Sequence, residues 1–227
     1  MKAVRQAVID IGSNTVRLVV YAGLPRAPLP IYNEKSRVKL GACLAGDGII
    51  DKATMKKALA ALARFETLAQ AMKVDTMRVV ATAATREAKN GHELVEKAAA
   101  LGIHVEVLDG DAEATAAGFG ILSDNPHANG YVGDLGGGSL ELIRISDGKL
   151  GTRVSLPLGT LRHYILKGKT TKQITQMLRD DIAKSDWKSG FPHRNRPAIL
   201  YDRRIVADIR TAAHAPYRIS ADHPVQL

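Results

Sequence analysis

Two stretches of this 227-residue chain are built alike. VIDIGSNTVRLVV (residues 8–20) and VGDLGGGSLELIRI (residues 132–145) each run apolar strand, Asp, Gly-containing turn, second strand. Asp10 in the first matches Asp134 in the second. An internal repeat of this kind calls for a duplicated architecture rather than one undivided sheet. The second strand of the first copy alternates, with Val16, Leu18 and Val20 facing one way and Thr15, Arg17 and Val19 the other.

The segments around the repeats alternate between strand and helix signals. LPRAPLP (24–30) reads as a loop and 31–39 as a third strand. Asp51 is an N-cap for a long amphipathic helix carrying Met55, Leu59, Leu62, Phe65, Leu68, Ala69 and Met72 on one face. A short strand over 77–81, a helix over 92–101 stopped by Gly102 and a strand over 103–108 follow. The segment 109–122 opens on acidic residues, as a helix N-terminus should. SDNPHANG (123–130) is turn-rich and marks a domain boundary. Beyond the second hairpin come a strand over 149–156 and helices near 158–166 and 171–184. Such alternation predicts parallel strand pairing and the α/β class. The expected units are residues 1–126, 127–201 and an atypical tail, 202–227.

Composition removes several classes. Hydrophobic residues make up 45%, which is ordinary for a globular chain. The single cysteine, Cys43, rules out an internal disulfide and a Cys-built zinc site. No apolar run is long enough for a membrane span, and the N-terminus lacks a secretory pattern, so a cytoplasmic protein is expected. The net charge of +9 favours polyanionic partners, while 4% aromatic residues argue against a stacking single-strand binder.

A Gly-containing turn between strands leaves backbone N–H groups converging, and such a nest binds phosphate oxygens. Gly12, Ser13 and Asn14 form the first candidate loop; Gly136, Gly137, Gly138 and Ser139 form the second. Structural turns require glycine too; the duplication is what points to ligand. Asp10 and Asp134 stand at strand ends beside these loops, where a carboxylate either holds Mg²⁺ or hydrogen-bonds the turn. Glu113 lies in the first turn of its helix among small residues, placed either to take a proton from water or simply to face solvent. Arg86 follows a strand end and suits a phosphate oxyanion or the surface.

Together the segments AVIDIGSNTVRLVVY, VVATAATREAKNG, LDGDAEATAAGFG, YVGDLGGGSLELIRI and SLPLGTLRHYIL resemble, in order, the exopolyphosphatase/guanosine pentaphosphate phosphohydrolase family. The resemblance covers about residues 7–166. It implies two RNase H-like domains of the actin-like, sugar-kinase and heat-shock ATPase superfamily, the second incomplete here, with a cleft between them. It implies Mg²⁺-dependent release of terminal phosphate from polyphosphate or guanosine pentaphosphate. By motif, Glu113 matches the glutamate that activates water, although its usual acidic predecessor is Ala112. Asp134 matches the metal-linked aspartate, Arg86 the phosphate-contacting arginine, and the two Gly loops the phosphate loops. Glu141 sits in the family's S-x-E-L pattern as a further acidic site residue. No membrane and no specific nucleic acid are expected as partners; homo-oligomerisation through an uncovered face is.

The resemblance weakens near residue 202, where a Gly-Gly-Ser/Thr-x-Arg segment is expected and DRRIVADIRTAAHAPYRISADHPVQL stands instead. Read one base out of frame, permitted codons for this stretch encode TGGSWRT and a family-like continuation. An out-of-frame tail is therefore expected, and with it a catalytically weak or inactive module that grips polyphosphate or guanosine polyphosphates becomes the alternative to an enzyme. A kinase of the same superfamily is the third reading; no acceptor-activating Asp motif is visible to support it.

Overall fold

The computed structural model describes residues 4–24, 27–165, 168–184 and 198–202. The out-of-frame expectation for the tail beyond Asp202 falls outside them. Strands β1 (Val4–Ile11), β2 (Thr15–Leu24), β3 (Ala27–Arg37), β4 (Thr76–Ala81) and β5 (Val105–Val107) form one sheet in the order β3-β2-β1-β4-β5. Strands β6 (Gly130–Leu135), β7 (Leu140–Ser146), β8 (Lys149–Leu156) and β9 (Ala198–Asp202) form a second, ordered β8-β7-β6-β9. In each, two antiparallel pairings are followed by a parallel strand on the far side of the first. The first sheet thus has the RNase H-like order that the resemblance implies, and the second repeats its first four positions. The pairing is mixed rather than parallel throughout, because the hairpins bring their second strands back antiparallel.

The repeat holds to the hydrogen bond. Asp10 pairs across the hairpin with Arg17, and Asp134 with Glu141. The two turns close alike, with Gly12 N–H donating to the Thr15 carbonyl (3.0 Å) and Gly136 N–H to the Ser139 carbonyl (2.9 Å).

Strands β1 and β2 are buried on both faces, as their near-continuous apolar runs require. Helix α1 (Lys52–Ala71) lays Met55, Ala58, Leu62, Phe65 and Ala69 onto one of those faces. Asp51 caps it, accepting from the N–H groups of Ala53 and Thr54 and from the Thr54 hydroxyl. Short α2 (Ala83–Glu87) and α3 (Gly91–Ala99) follow β4. The short helix carries Arg86 and has no counterpart among the elements expected from sequence; five residues are too few for a helical period to show.

Helix α4 (Gly110–Asp124) packs onto the second sheet, although the expected boundary at 126/127 places it with the first unit. Its Ala114, Ala117 and Ile121 join Val132, Ile143 and Ile145 in a separate core. A Cβ on Gly118 would stand 2.5 Å from Leu150 Cδ2, so the small residues here let the helix approach a sheet. Two further expectations shift. The prolines of LPRAPLP do not keep the segment out of the sheet: Pro28 and Pro30 lie in β3, an edge strand where a missing N–H is tolerated. The helix expected near 158–166 is a 3-10 turn, Thr160–Ile165; the one expected over 171–184 is α5 (Thr171–Lys184).

Hydrogen bonds from Thr54 and Ala53 hold the Asp51 carboxyl below its ordinary value. A depressed carboxyl pKa contributes stability above the unfolded value, about 3.9, that is lost as pH falls through the folded one. Asp51→Ala should lower Tm by about 2–4 °C at pH 7. That difference should shrink below about pH 4 when melting is followed by circular dichroism across pH.

Candidate active site

The two Gly loops meet. A Cβ on Gly138 would lie 2.4 Å from Ser13 Oγ and 2.9 Å from Ala83 Cβ, and one on Gly137 would lie 3.1 Å from Ser13 Cβ. Glycine is needed here because another hairpin stands against it. Ser13 is buried at the junction, and among the described residues its Oγ has no hydrogen-bond partner. A buried orphan hydroxyl between two phosphate-type loops suits a ligand oxygen.

Each loop is gripped from behind through its carbonyls. In the first, Gly41 N–H donates to the Ser13 carbonyl (2.7 Å), and the N–H groups of Val38 and Lys39 donate to the Asn14 carbonyl (3.1 and 2.9 Å). In the second, Leu161 N–H donates to the Gly137 carbonyl (2.9 Å), and Arg162 Nε to the Gly138 carbonyl (2.5 Å). The gripping segments are themselves alike, KLGACL (39–44) and PLGTLR (157–162). A Cβ on Gly41 would meet Ser13 Cβ at 2.8 Å, and one on Gly159 would meet the Gly137 backbone at 2.3 Å. These Leu-Gly pairs extend the repeat beyond the hairpins. The signal in the sequence is only two residues long, too short to stand out before the loops they hold are known.

A cleft of about 510 Å³ opens beside the junction, lined by Asp10, Gly12, Ser13, Asn14, Thr15, Arg17, Lys35, Leu135, Gly136, Gly137 and Thr160. Of the expected residues, Asp10, Gly12, Ser13, Asn14, Gly136 and Gly137 therefore share one cleft. Arg17 and Lys35, absent from the expected set, join them, facing each other across β2 and β3. Arg17 Nε donates to Asn33 Oδ1 (2.9 Å), which holds the guanidinium in place.

The other expected residues lie off that cleft. Glu113, 1% exposed, accepts from Arg86 Nη1 (3.1 Å), which also donates to the Leu108 carbonyl (2.8 Å). Gly138 is taken up by the contact with Ser13. Ser139 and Asp134 are buried, and Glu141 is fully buried with Ser155 Oγ donating to its Oε1 (2.8 Å). A Cβ on Gly110, at the start of α4, would stand 2.9 Å from Ser155 Cβ, so the helix bearing Glu113 rests on the residue that holds Glu141. The site has two parts, an open cleft that carries Arg17 and Lys35 beside Asp10, and a buried set of carboxylates with half-buried Arg86.

Among the described residues, no three Asp, Glu, His or Cys side chains gather as a metal cage. Mg²⁺ does not need one, since it commonly takes one or two carboxylates and completes its shell with water and substrate phosphate. Asp10, lining the cleft beside both loops, fits that mode, and Asp134 occupies the matching position in the second hairpin. Burial pushes the Cys43 thiol up, which leaves it a poor nucleophile.

The family model described as the Ppx/GppA phosphatase family matches residues 19–224. This chain belongs to the Ppx/GppA phosphatase family. The match runs into the atypical tail. A guanosine-5'-triphosphate,3'-diphosphate pyrophosphatase of Pseudoalteromonas atlantica is 31% identical, over 93% of this chain and 45% of its own length. An exopolyphosphatase of Cytophaga hutchinsonii superposes with a TM-score of 0.71 at 26% identity, covering 78% of this chain and 60% of that one. A Ppx/GppA family member of Aquifex aeolicus gives 0.66 at 26% identity, covering 79% and 60%. The chain thus spans about half to three fifths of the length of these Ppx/GppA relatives.

Gly159→Ala should displace the second loop, since backbone cannot yield to a Cβ at 2.3 Å. The expected cost is about 1–3 kcal/mol in denaturant unfolding, and Gly46→Ala, whose Cβ would make only an ordinary contact with the Cys43 carbonyl at 3.8 Å, should cost less.

Proposed function

We propose that this chain hydrolyses the terminal phosphate of inorganic polyphosphate or of guanosine pentaphosphate, in the cytoplasm and with Mg²⁺. The observation that carries the reading is the meeting of two matched Gly loops on a cleft that also holds Arg17 and Lys35. A chain of phosphates carries about one negative charge per unit, and a cleft with two cations and converging loops is complementary to it. The names of the relatives, a pyrophosphatase acting on a guanosine polyphosphate and an exopolyphosphatase, support the same substrates.

Water is a weak nucleophile, so catalysis rests on positioning, charge neutralisation and a base. In this reading Gly12, Ser13, Asn14, Gly136 and Gly137 hold the terminal phosphates, with Gly138 and Ser139 shaping the second loop behind them, and the Ser13 hydroxyl donates to a phosphate oxygen. Arg17 and Lys35 hold the next units of the chain. Glu113 takes the proton from the attacking water, and Arg86, already bonded to Glu113, offers its remaining N–H groups to the oxygens that gain charge. Bound Mg²⁺, held by Asp10 and Asp134 with Glu141 nearby, would supply further neutralisation of phosphate charge.

Phosphate release from polyphosphate and from guanosine pentaphosphate, each with Mg²⁺, tests the reading directly. Glu113→Gln should lower kcat by about 10²–10⁴-fold with polyphosphate affinity nearly unchanged. Binding without release by the unaltered chain would instead identify a polyanion-binding module. Lys35→Ala should raise KM for polyphosphate by about 10-fold at low salt, and the difference should narrow as ionic strength rises. Equal KM values at all salt concentrations would remove Lys35 from the site.

A further inference from the structure

Arg162 is buried in the kink of the 3-10 turn that follows the second hairpin's sheet strands (φ −92°, ψ 16°). The bridge region of backbone space is where many site residues stand. Its side chain makes two bonds in two directions. Nε donates to the Gly138 carbonyl at 2.5 Å, and Nη2 donates to Glu87 Oε2 at 2.5 Å, across to α2. The other oxygen of that carboxylate, Glu87 Oε1, stands 3.9 Å from Arg86 Nη2. Arg86 Nη1 in turn pairs with Glu113 Oε2 at 3.1 Å. Charges therefore alternate along one line: Arg162, Glu87, Arg86, Glu113.

The matched loop shows what is unusual here. The Asn14 carbonyl, at the position equivalent to Gly138, is held by two backbone N–H groups. In the second hairpin a charged side chain holds that carbonyl, and the same guanidinium reaches the carboxylate beside Arg86. A structural fastening would need only the first bond.

We infer that Arg162 is a positioning residue, which fixes the second Gly loop and, through Glu87, sets where Arg86 stands against Glu113. This rests on the phosphohydrolase reading of the site. Without the Arg162 charge, Glu87 has Arg86 as its cationic neighbour and draws it off Glu113. With Glu87 also neutral, that competition is gone.

The test uses the full chain with Arg162→Gln, Arg162→Lys, Glu87→Gln and the double variant Arg162→Gln/Glu87→Gln. Steady-state phosphate release from polyphosphate and amide hydrogen exchange are both measured, with melting followed throughout. Arg162→Gln should lower kcat by about 10–100-fold with KM within about 3-fold. The double variant should be no slower than Arg162→Gln alone, because the two residues act on one target. Arg162→Lys should recover part of the rate. Exchange should quicken in residues 136–141 and 83–88 and stay unchanged in β1. Additive losses of kcat, or losses that vanish once each variant is assayed well below its own Tm, overturn the inference. If the unaltered chain releases no phosphate, the phosphohydrolase reading has failed, and exchange alone decides: unchanged protection at both segments in Arg162→Gln overturns the linkage. If Arg162→Gln does not fold, Arg162→Lys and Glu87→Gln carry the same comparisons.

Discussion

Backbone against backbone, without an intervening Cβ, is the condition on which this arrangement stands. Gly137 and Gly138 face Ser13 across the junction of the two sheets, and Gly159 faces Gly137 from behind. None of these three glycines adopts a left-handed conformation. Their requirement is space. A side chain at any of them would wedge the hairpins apart, and the cleft beside the junction would lose its shape. The glycine content of the second loop thus serves two ends at once. It lets the second unit dock on the first, and in the proposed reading it lets the backbone approach an anion.

Charge is organised around that contact in two layers. The cleft is lined by buried Arg17 and exposed Lys35, with Asp10 beside them, so part of the +9 net charge lies at its wall. Beneath it, Glu113, Asp134 and Glu141 are almost wholly buried. Buried carboxylates are costly unless paired. Glu113 has Arg86, and Glu141 has the Ser155 hydroxyl. Such burial does little for stability alone, since a hydrophobic side chain would do as well, and it accords with a site that handles charge.

Much of this is legible in the sequence, for physical reasons that differ by element. The hairpins are, because apolar strands flank turns whose residue types leave little choice. Helices α1 and α4 are, because an acidic N-cap precedes a long periodic or small-residue run. Residues whose roles depend on pairing beyond the hairpin are not. Lys35 reaches the cleft only because β3 pairs with β2 in a register that sets it opposite Arg17, and the prolines of LPRAPLP hide how far that strand extends. Arg162 has its partners 24 and 75 residues away, and no local pattern encodes them. Glu113 stands in the first turn of its helix, as its spacing from Asp109 dictates, but its burial against Arg86 follows from tertiary packing.

The duplication is close in backbone and unequal in chemistry, and the inequality is informative. Opposite the strand-end aspartate the first hairpin carries Arg17 and the second Glu141. Behind the loop the first uses backbone amides, and the second uses backbone amides together with Arg162. If the hairpins served only to join two sheets, equivalent positions would be free to carry equivalent residues. Instead the first presents a cation to the cleft, and the second collects carboxylates beneath it. In the proposed reading, a phosphate chain gripped between them would meet attraction on one side and, on the other, the carboxylates proposed to hold a metal ion and accept a proton. Two identical loops could bind a polyanion; in the proposed reading this asymmetry is what would give a bound chain a direction.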